Sequence, residues 1–289
     1  MEDKNVHKIF KLFIGGKFIR TESERFIQLK DNNGKVISNV SRSTRKDVRN
    51  AVVAARSAFS GWNGKTGYER GQILYRFAEM LAFRAEEFSN EIQINTGASK
   101  KAADKEVNKC IDRAIFYAGL ADKWMQLTGT VNPVQAGYFN FSVPEAVGIV
   151  GILLPDEPSL LAGVSRILNC IVAGNTCLVV ASETTPRPVL TLAEIFATCD
   201  LPGGVVNIIS GYHKELISHV AGHFDINSID YALSTKDYLK QCRELCANNV
   251  KRFHRMPDDH DWYNDSMNED PKEVERFVEI KTVWHTMGV

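Results

Sequence analysis

The sequence predicts an α/β protein built on a doubly wound parallel sheet with flanking helices, and three observations predict it. Apolar runs of buried-strand type recur at VGIVGILL (147–154), TCLVVA (176–181), VVNIIS (205–210) and SIDYAL (228–233). Helical periodicity fills the gaps between and after them, at 159–173, 187–199, 213–221 and 236–248. Strands without polar alternation, spaced by helices, are the pattern of βαβ units covered on both faces.

The elements follow in order. LFIGGKFI (12–19) reads as a strand pair turning at Gly15-Gly16, and NGKVISNV (33–40) as a further strand. A helix opens at Thr44, where Asp47 three residues on completes a capping-box pattern; Val48, Val52, Ala55 and Phe59 carry it to Gly61. Ile73, Leu74, Phe77, Leu81, Phe88 and Ile92 mark one long helix ending near Gly97, and Val107, Ile111, Ile115 and Trp124 mark another from Lys101 to Leu127. Tyr138 to Val143 alternates like a half-buried strand, and RFVEIKTVWHTMGV at the end also has strand character. The expected organisation is a main domain from 1–136 and 144–256, strands at 137–143 and 277–289, and an exposed acidic connector over 257–276. That connector contains PDDHDWYNDSMNEDPKE, rich in acids and without apolar period.

Composition narrows the function. The 289 residues are 44% hydrophobic and 24% charged, as in a globular protein with a real core. Thirty-five basic residues balance 35 acidic ones, which gives no electrostatic footprint for nucleic acid or an anionic membrane. No apolar run reaches the ~18 residues of a spanning helix. The start, MEDKNVHKIFKLF, lacks an apolar signal core, and six cysteines without CxxC spacing suggest reduced thiols, so a cytoplasmic location is expected.

Three stretches, PEAVGIVGILLPDEP, VAGNTCLVVASETTP and LPGGVVNIISG, resemble the cofactor-binding half of the aldehyde dehydrogenase superfamily. LFIGGKFI, DVRNAVVAARSAFSGW, YERGQILYRFAEML and the terminal EIKTVW resemble further segments in the family's order. PDE in place of PWN is similar to the non-catalytic second half of aldehyde dehydrogenase family 16. The resemblance implies a Rossmann-like domain. It also implies a chemistry that needs a cysteine nucleophile, an amide to hold the oxyanion, NAD(P) and a glutamate base.

Set against that pattern, the reacting positions differ. Glu157 stands where the oxyanion amide is expected, with Asp156 beside it. At ~4 Å and an effective dielectric of ~20, a carboxylate facing the oxyanion costs about 4 kcal/mol. That is roughly three decades of rate. Met256 falls where the glutamate base is expected, and no GQxC context is present. Cys242 and Cys246, at i and i+4, read as packed thiols. In the cofactor region Glu183 keeps the acid of KPSE without its lysine, and reads as a helix-entry acid favoured by the dipole. His213 replaces the second glycine after Gly211, and Leu233 replaces a glycine beside Ser234. Gly174-Asn175-Thr176 and Pro202-Gly203 read as structural turns. Between Met256 and the last strand the chain is about a domain short by the usual ~150-residue measure.

His254, Asp258, Asp259, His260 and Asp261 are the only cluster with metal-ligand chemistry, read here as a solvated connector. Trp124, Trp262 and Trp284 read as core or subunit-contact residues. The resemblance assigns strands 137–143 and 277–284 to an oligomerisation sheet. The expectation is a catalytically inactive homologue, without catalytic residues, metal or cofactor. It would assemble as a homodimer or with a full-length aldehyde dehydrogenase through those strands. The competing readings are an NAD(P)-dependent aldehyde oxidoreductase acting with a partner subunit, with NAD or NADP as cofactor, and a nucleotide or metabolite sensor.

Overall fold

The computed structural model describes residues 8–31, 34–135, 137–233 and 235–287. Short strands β1 (Ile9–Phe10), β2 (Leu12–Ile14) and β3 (Lys17–Ile19) precede β4 (Phe26–Lys30) and β5 (Val36–Ser41). Helices α1 (Arg45–Asn63), α2 (Gly67–Phe83), α3 (Ala85–Thr96), α4 (Lys100–Leu120) and α5 (Trp124–Thr128) follow. Then come β6 (Thr130–Asn132), β7 (Tyr138–Ala146), β8 (Ile149–Leu153), α6 (Leu161–Val172), β9 (Thr176–Val180), α7 (Arg187–Phe196) and β10 (Val206–Ile209). The remainder is α8 (His213–Ala221), β11 (Ser228–Tyr231), α9 (Leu239–Ala247), β12 (Arg252–Arg255), α10 (Asp265–Asn268), α11 (Pro271–Glu275) and β13 (Val278–Thr286).

The main sheet has the order β12-β11-β8-β9-β10-β2-β3, and its five strands from β12 to β10 are parallel. The chain runs outward from β8 through β9 to β10, then returns to place β11 and β12 on the other side. The switch point therefore lies between β8 and β11, where doubly wound sheets open a crevice beyond the strand C-termini. The hairpin β2–β3 adds antiparallel to β10. Its Gly15-Gly16 turn has positive φ at both residues, and a Cβ on Gly16 would come within 2.8 Å of Gly203 Cα. That approach docks the hairpin on the sheet.

Local signals place several ends correctly. The Thr44 amide and hydroxyl donate to Asp47 Oδ2 at 2.7 and 2.8 Å, and Thr21 Oγ1 donates to the same oxygen at 2.7 Å. The capping box is thus also a tie to the hairpin. Helix α1 runs two residues past Gly61 and closes on Gly64. The helix expected over 73–97 is two helices, broken at Arg84, which leaves the helical region at φ −101°, ψ 17°. The one expected from Lys101 to Leu127 is likewise interrupted after Leu120. Apolar period persists across both breaks, so periodicity alone could not reveal them.

One strand goes beyond the sequence reading, and one expectation needs correction. VKRFHRMP (250–257) contains a fifth parallel strand, β12, which has no apolar alternation and is recruited by pairing with β11. The connector is not simply exposed: Trp262, Asn268, Glu273 and Val274 are buried. Its acids dock on arginines of the helical layer. Arg166 is bound by Asp230 (2.6 and 3.1 Å) and by Glu273 (2.7 Å), and Arg113 by Glu269 (3.3 Å) and the Trp262 carbonyl (3.3 Å). Burial pushes Glu273 upward, but Arg166 and Arg276 outweigh it and hold the carboxyl below its ordinary value.

Candidate functional site at the sheet switch point

Beyond β8 the chain runs through Pro155 to Ser159. The Ser182 hydroxyl donates to the Asp156 carboxylate and accepts the amides of Thr184 (3.0 Å) and Thr185 (2.9 Å). Asp156 is therefore occupied in tying the β8 loop to the β9 loop. Glu157 is exposed and lines a cleft of about 310 Å³ with Thr96, Glu106, Ser159 and Tyr263. Glu106 Oε1 accepts the amides of Leu160 (2.8 Å) and Leu161 (3.0 Å), capping α6 from a neighbouring helix. Burial raises the Glu106 carboxyl above its ordinary value against the lowering by the Leu161 and Leu160 amides, with a small addition from the charge of Glu157. The wall of this cleft carries two acids and no side-chain amide. Glu106 and Tyr263 were not singled out in the sequence; an acid inside the apolar period Ala103–Val107–Cys110 was the available signal.

On the neighbouring loops, Glu183 accepts the backbone N–H of His213, the first residue of α8, and lies 3.8 Å from its Nδ1. His213 Nε2 is 3.1 Å from the Ala181 carbonyl, and the residue is buried. The start of α8 is an anion-binding position, and here the chain supplies its own carboxylate and its own ring. Gly211 lies close to Leu216 and the Ser43 amide, so a side chain there would be crowded. Leu233 is buried in the core cluster with Tyr231 and Cys242. Ser234 lies outside the described residues.

All six cysteines are free and buried. Burial raises the Cys242 thiol to about 12, those of Cys246 and Cys199 to about 11, and those of Cys110 and Cys170 well above the ordinary value. A nucleophilic thiol needs the opposite, access and a depressed pKa. Met256 is buried, with its amide on the Tyr231 carbonyl at 2.9 Å. The five metal-type residues do not converge: Asp258 pairs with Arg255 and Lys236, His260 meets Asn268 Oδ1 at 2.8 Å, and His254 packs edge-on against Phe277. Among the described residues no group of three or more His, Cys, Asp or Glu could hold a metal ion. Nor is any helix among them long and apolar enough to cross a membrane.

The ribbon has the order β13-β7-β6, one strand more than expected. β7 and β13 pair antiparallel from Val278↔Ala146 to Thr286↔Tyr138, with Ser142 and Thr282 hydroxyls 2.9 Å apart. Strand β13 is an edge. Its Trp284 is 62% exposed and meets Tyr138 edge-on; Ile280 and Val131 are also exposed. Trp124 and Trp262 are buried.

Comparison with known proteins places this geometry. The model of the aldehyde dehydrogenase family matches residues 18–255. Omega-crystallin of Enteroctopus dofleini is 29% identical over 85% of this chain and 50% of its own length. A putative aldehyde dehydrogenase from Burkholderia cenocepacia superposes with a TM-score of 0.81 at 28% identity, covering 85% of this chain and 50% of that one. An NAD+ complex of aldehyde dehydrogenase from Bacillus cereus does so with a TM-score of 0.81 at 25% identity, covering 86% and 50%. The chain spans about half the length of these relatives.

Proposed function

Since this chain belongs to the aldehyde dehydrogenase family, we propose that it is a member without aldehyde-oxidising activity of its own, whose role is structural or regulatory assembly. The observation that carries the reading is the cleft beyond β8. Its wall offers Glu157 where the resemblance requires a neutral donor, with the helix-capping Glu106 beside it, and every thiol of the chain is buried. A carboxylate at that position opposes the developing charge it would have to stabilise. The self-capped start of α8 supports the same reading for the cofactor. Glu183 and His213 already take the groups that a dinucleotide would use there. The 22 residues from 256 to 277 close the distance between β12 and β13 with a docked, ion-paired segment, where the resemblance assigns a whole catalytic domain.

Assembly is the positive half of the proposal. Strand β13 offers an unpaired edge with exposed Ile280 and Trp284, a surface suited to a second copy or a full-length relative by strand addition. Cytoplasmic residence belongs to the same reading. Two measurements test it. Calorimetric titration with NAD and an NAD-dependent assay over small aldehydes are expected to give no saturable binding and no turnover. Light scattering after gel filtration is expected to give at least a dimer. Tight NAD binding with turnover would overturn the inactive reading, and a strict monomer would overturn the assembly reading. The competing function, an oxidoreductase completed by a partner's thiol, is favoured by the likeness to an NAD+ complex, and turnover appearing only on mixing with that partner would establish it.

A further inference from the structure

A groove runs between the first turns of α1 and the length of α8, away from the cleft beyond β8. It consists of a cavity of about 220 Å³ beside Ser43 and one of about 430 Å³ reaching Phe224, and the two share Arg45 and His219 as walls. Arg25, Arg42, Arg45 and Arg49 line it. In contrast to Arg113, Arg166 and Arg187, which carboxylates hold, the guanidiniums of Arg25, Arg45 and Arg49 have no ion pair or hydrogen bond among the described residues. Two acids are near. Glu215 is clasped by Arg42, with Nε at 2.9 Å, and Asp47 is buried under α1 with its oxygens taken by Thr21, Thr44 and the Glu22 amide. Positive charge is therefore left over in a chain whose formal net charge is zero.

A second, independent observation points to a ligand. Ser43 is buried and lines the smaller cavity, and its Oγ has no hydrogen-bond partner, although its amide reaches the Ser210 carbonyl at 2.9 Å. Buried hydroxyls are normally satisfied. The hydroxyl stands two residues before the first residue of α1, where the first amides lack intrahelical acceptors. Burial, and then Arg45, hold His219 below the ordinary imidazole value. At the other end Phe224 is 77% exposed beside His223 and faces a cavity large enough for a ring.

We propose that this groove binds a small phosphorylated molecule, its phosphoryl group held by Ser43, Arg25 and Arg45 and its ring lying along α1 towards Phe224. Guanidinium forks and a hydroxyl at a helix start match the several oxygens of a phosphoryl group better than they match a chloride or a lone carboxylate. The phosphoryl-binding residues lie outside the cleft beyond β8 and the Glu183–His213 contact, so the site stands whether or not the chain is inactive.

The test is calorimetry on the full chain with inorganic phosphate and phenyl phosphate, neither of which carries the adenosine that a dehydrogenase crevice would take. Saturable binding is expected, with phenyl phosphate about tenfold tighter than inorganic phosphate, the factor an added ring contact supplies. Arg45→Gln should weaken both by about tenfold or more, the scale of one charge-assisted hydrogen bond. Ser43→Ala should weaken both probes while leaving the melting temperature of the free protein unchanged or raised, since it removes an unsatisfied hydroxyl. No saturable heat at millimolar probe, or undiminished binding in Arg45→Gln, would overturn the site. Equal affinity for the two probes would overturn the placement of the ring.

Discussion

Glu183 is the acid that the resemblance places in the cofactor region. In this chain it caps: its carboxylate lies on the His213 amide at the start of α8, and Tyr212 at the N-cap position contributes no side-chain bond. Replacing Glu183 by Ala should therefore destabilise the fold by about 0.5–1 kcal/mol, the lower part of the capping range because the side chain is a third exposed. Urea denaturation measures this, and an unchanged midpoint would show that the contact contributes nothing. The sequence marked Glu183 as a helix-entry acid, and the geometry adds that the helix it enters is α8, thirty residues on. Leu233 shows the same logic with an apolar group, since bulk where a glycine was expected has become part of the core.

At the scale of elements, the segment carrying α10 and α11 matters most for how the chain holds together. Arg166 on α6 is fully buried between Asp230 on β11 and Glu273 on α11, so one guanidinium joins the sheet, the helical layer and the segment. Arg166→Met leaves buried Asp230 without a cation and Glu273 with Arg276 alone, and a loss of about 3–5 kcal/mol is expected in equilibrium unfolding. A loss below about 1 kcal/mol, the scale of an exposed ion pair, would mean the network is dispensable. The ribbon makes a separate prediction. Ile280→Glu with Trp284→Glu puts charge on the exposed face of β13 without touching the core, so the assembly should dissociate in light scattering while the monomer melts as before. Retained assembly would move the interface elsewhere.

Over the whole molecule, acid should act in two windows. Burial depresses His219, His223, His254 and His260 below the ordinary imidazole value. A depressed histidine is neutral in both states above the unfolded value of ~6.5, and as pH falls below it the unfolded chain takes up protons first. Stability is thus complete above that point and declines as pH drops towards the folded values. Glu273, also depressed, adds its loss only below the ordinary carboxylate value of ~4.3. Thermal melts should fall between neutrality and pH 5.5, and His254→Leu, which removes a ring whose Nε2 has no partner, should flatten that fall. An identical pH profile in the variant would assign the titration to other groups.

Much of the fold was legible because its signals are local. Four apolar runs, the helices between them and the Thr44–Asp47 cap follow from periods and spacings within a few residues. So does the exchange at Glu157, which is a matter of residue type at a position. What only the tertiary structure decided depends on partners far apart in the chain. β12 is a strand because β11 offers it a ladder, and the acidic stretch after it is docked because Arg113 and Arg166 wait on helices more than ninety residues earlier. Whether an acid repels, caps or clasps depends on which charge faces it. A linear pattern of residues carries no information on that until the chain has closed on itself.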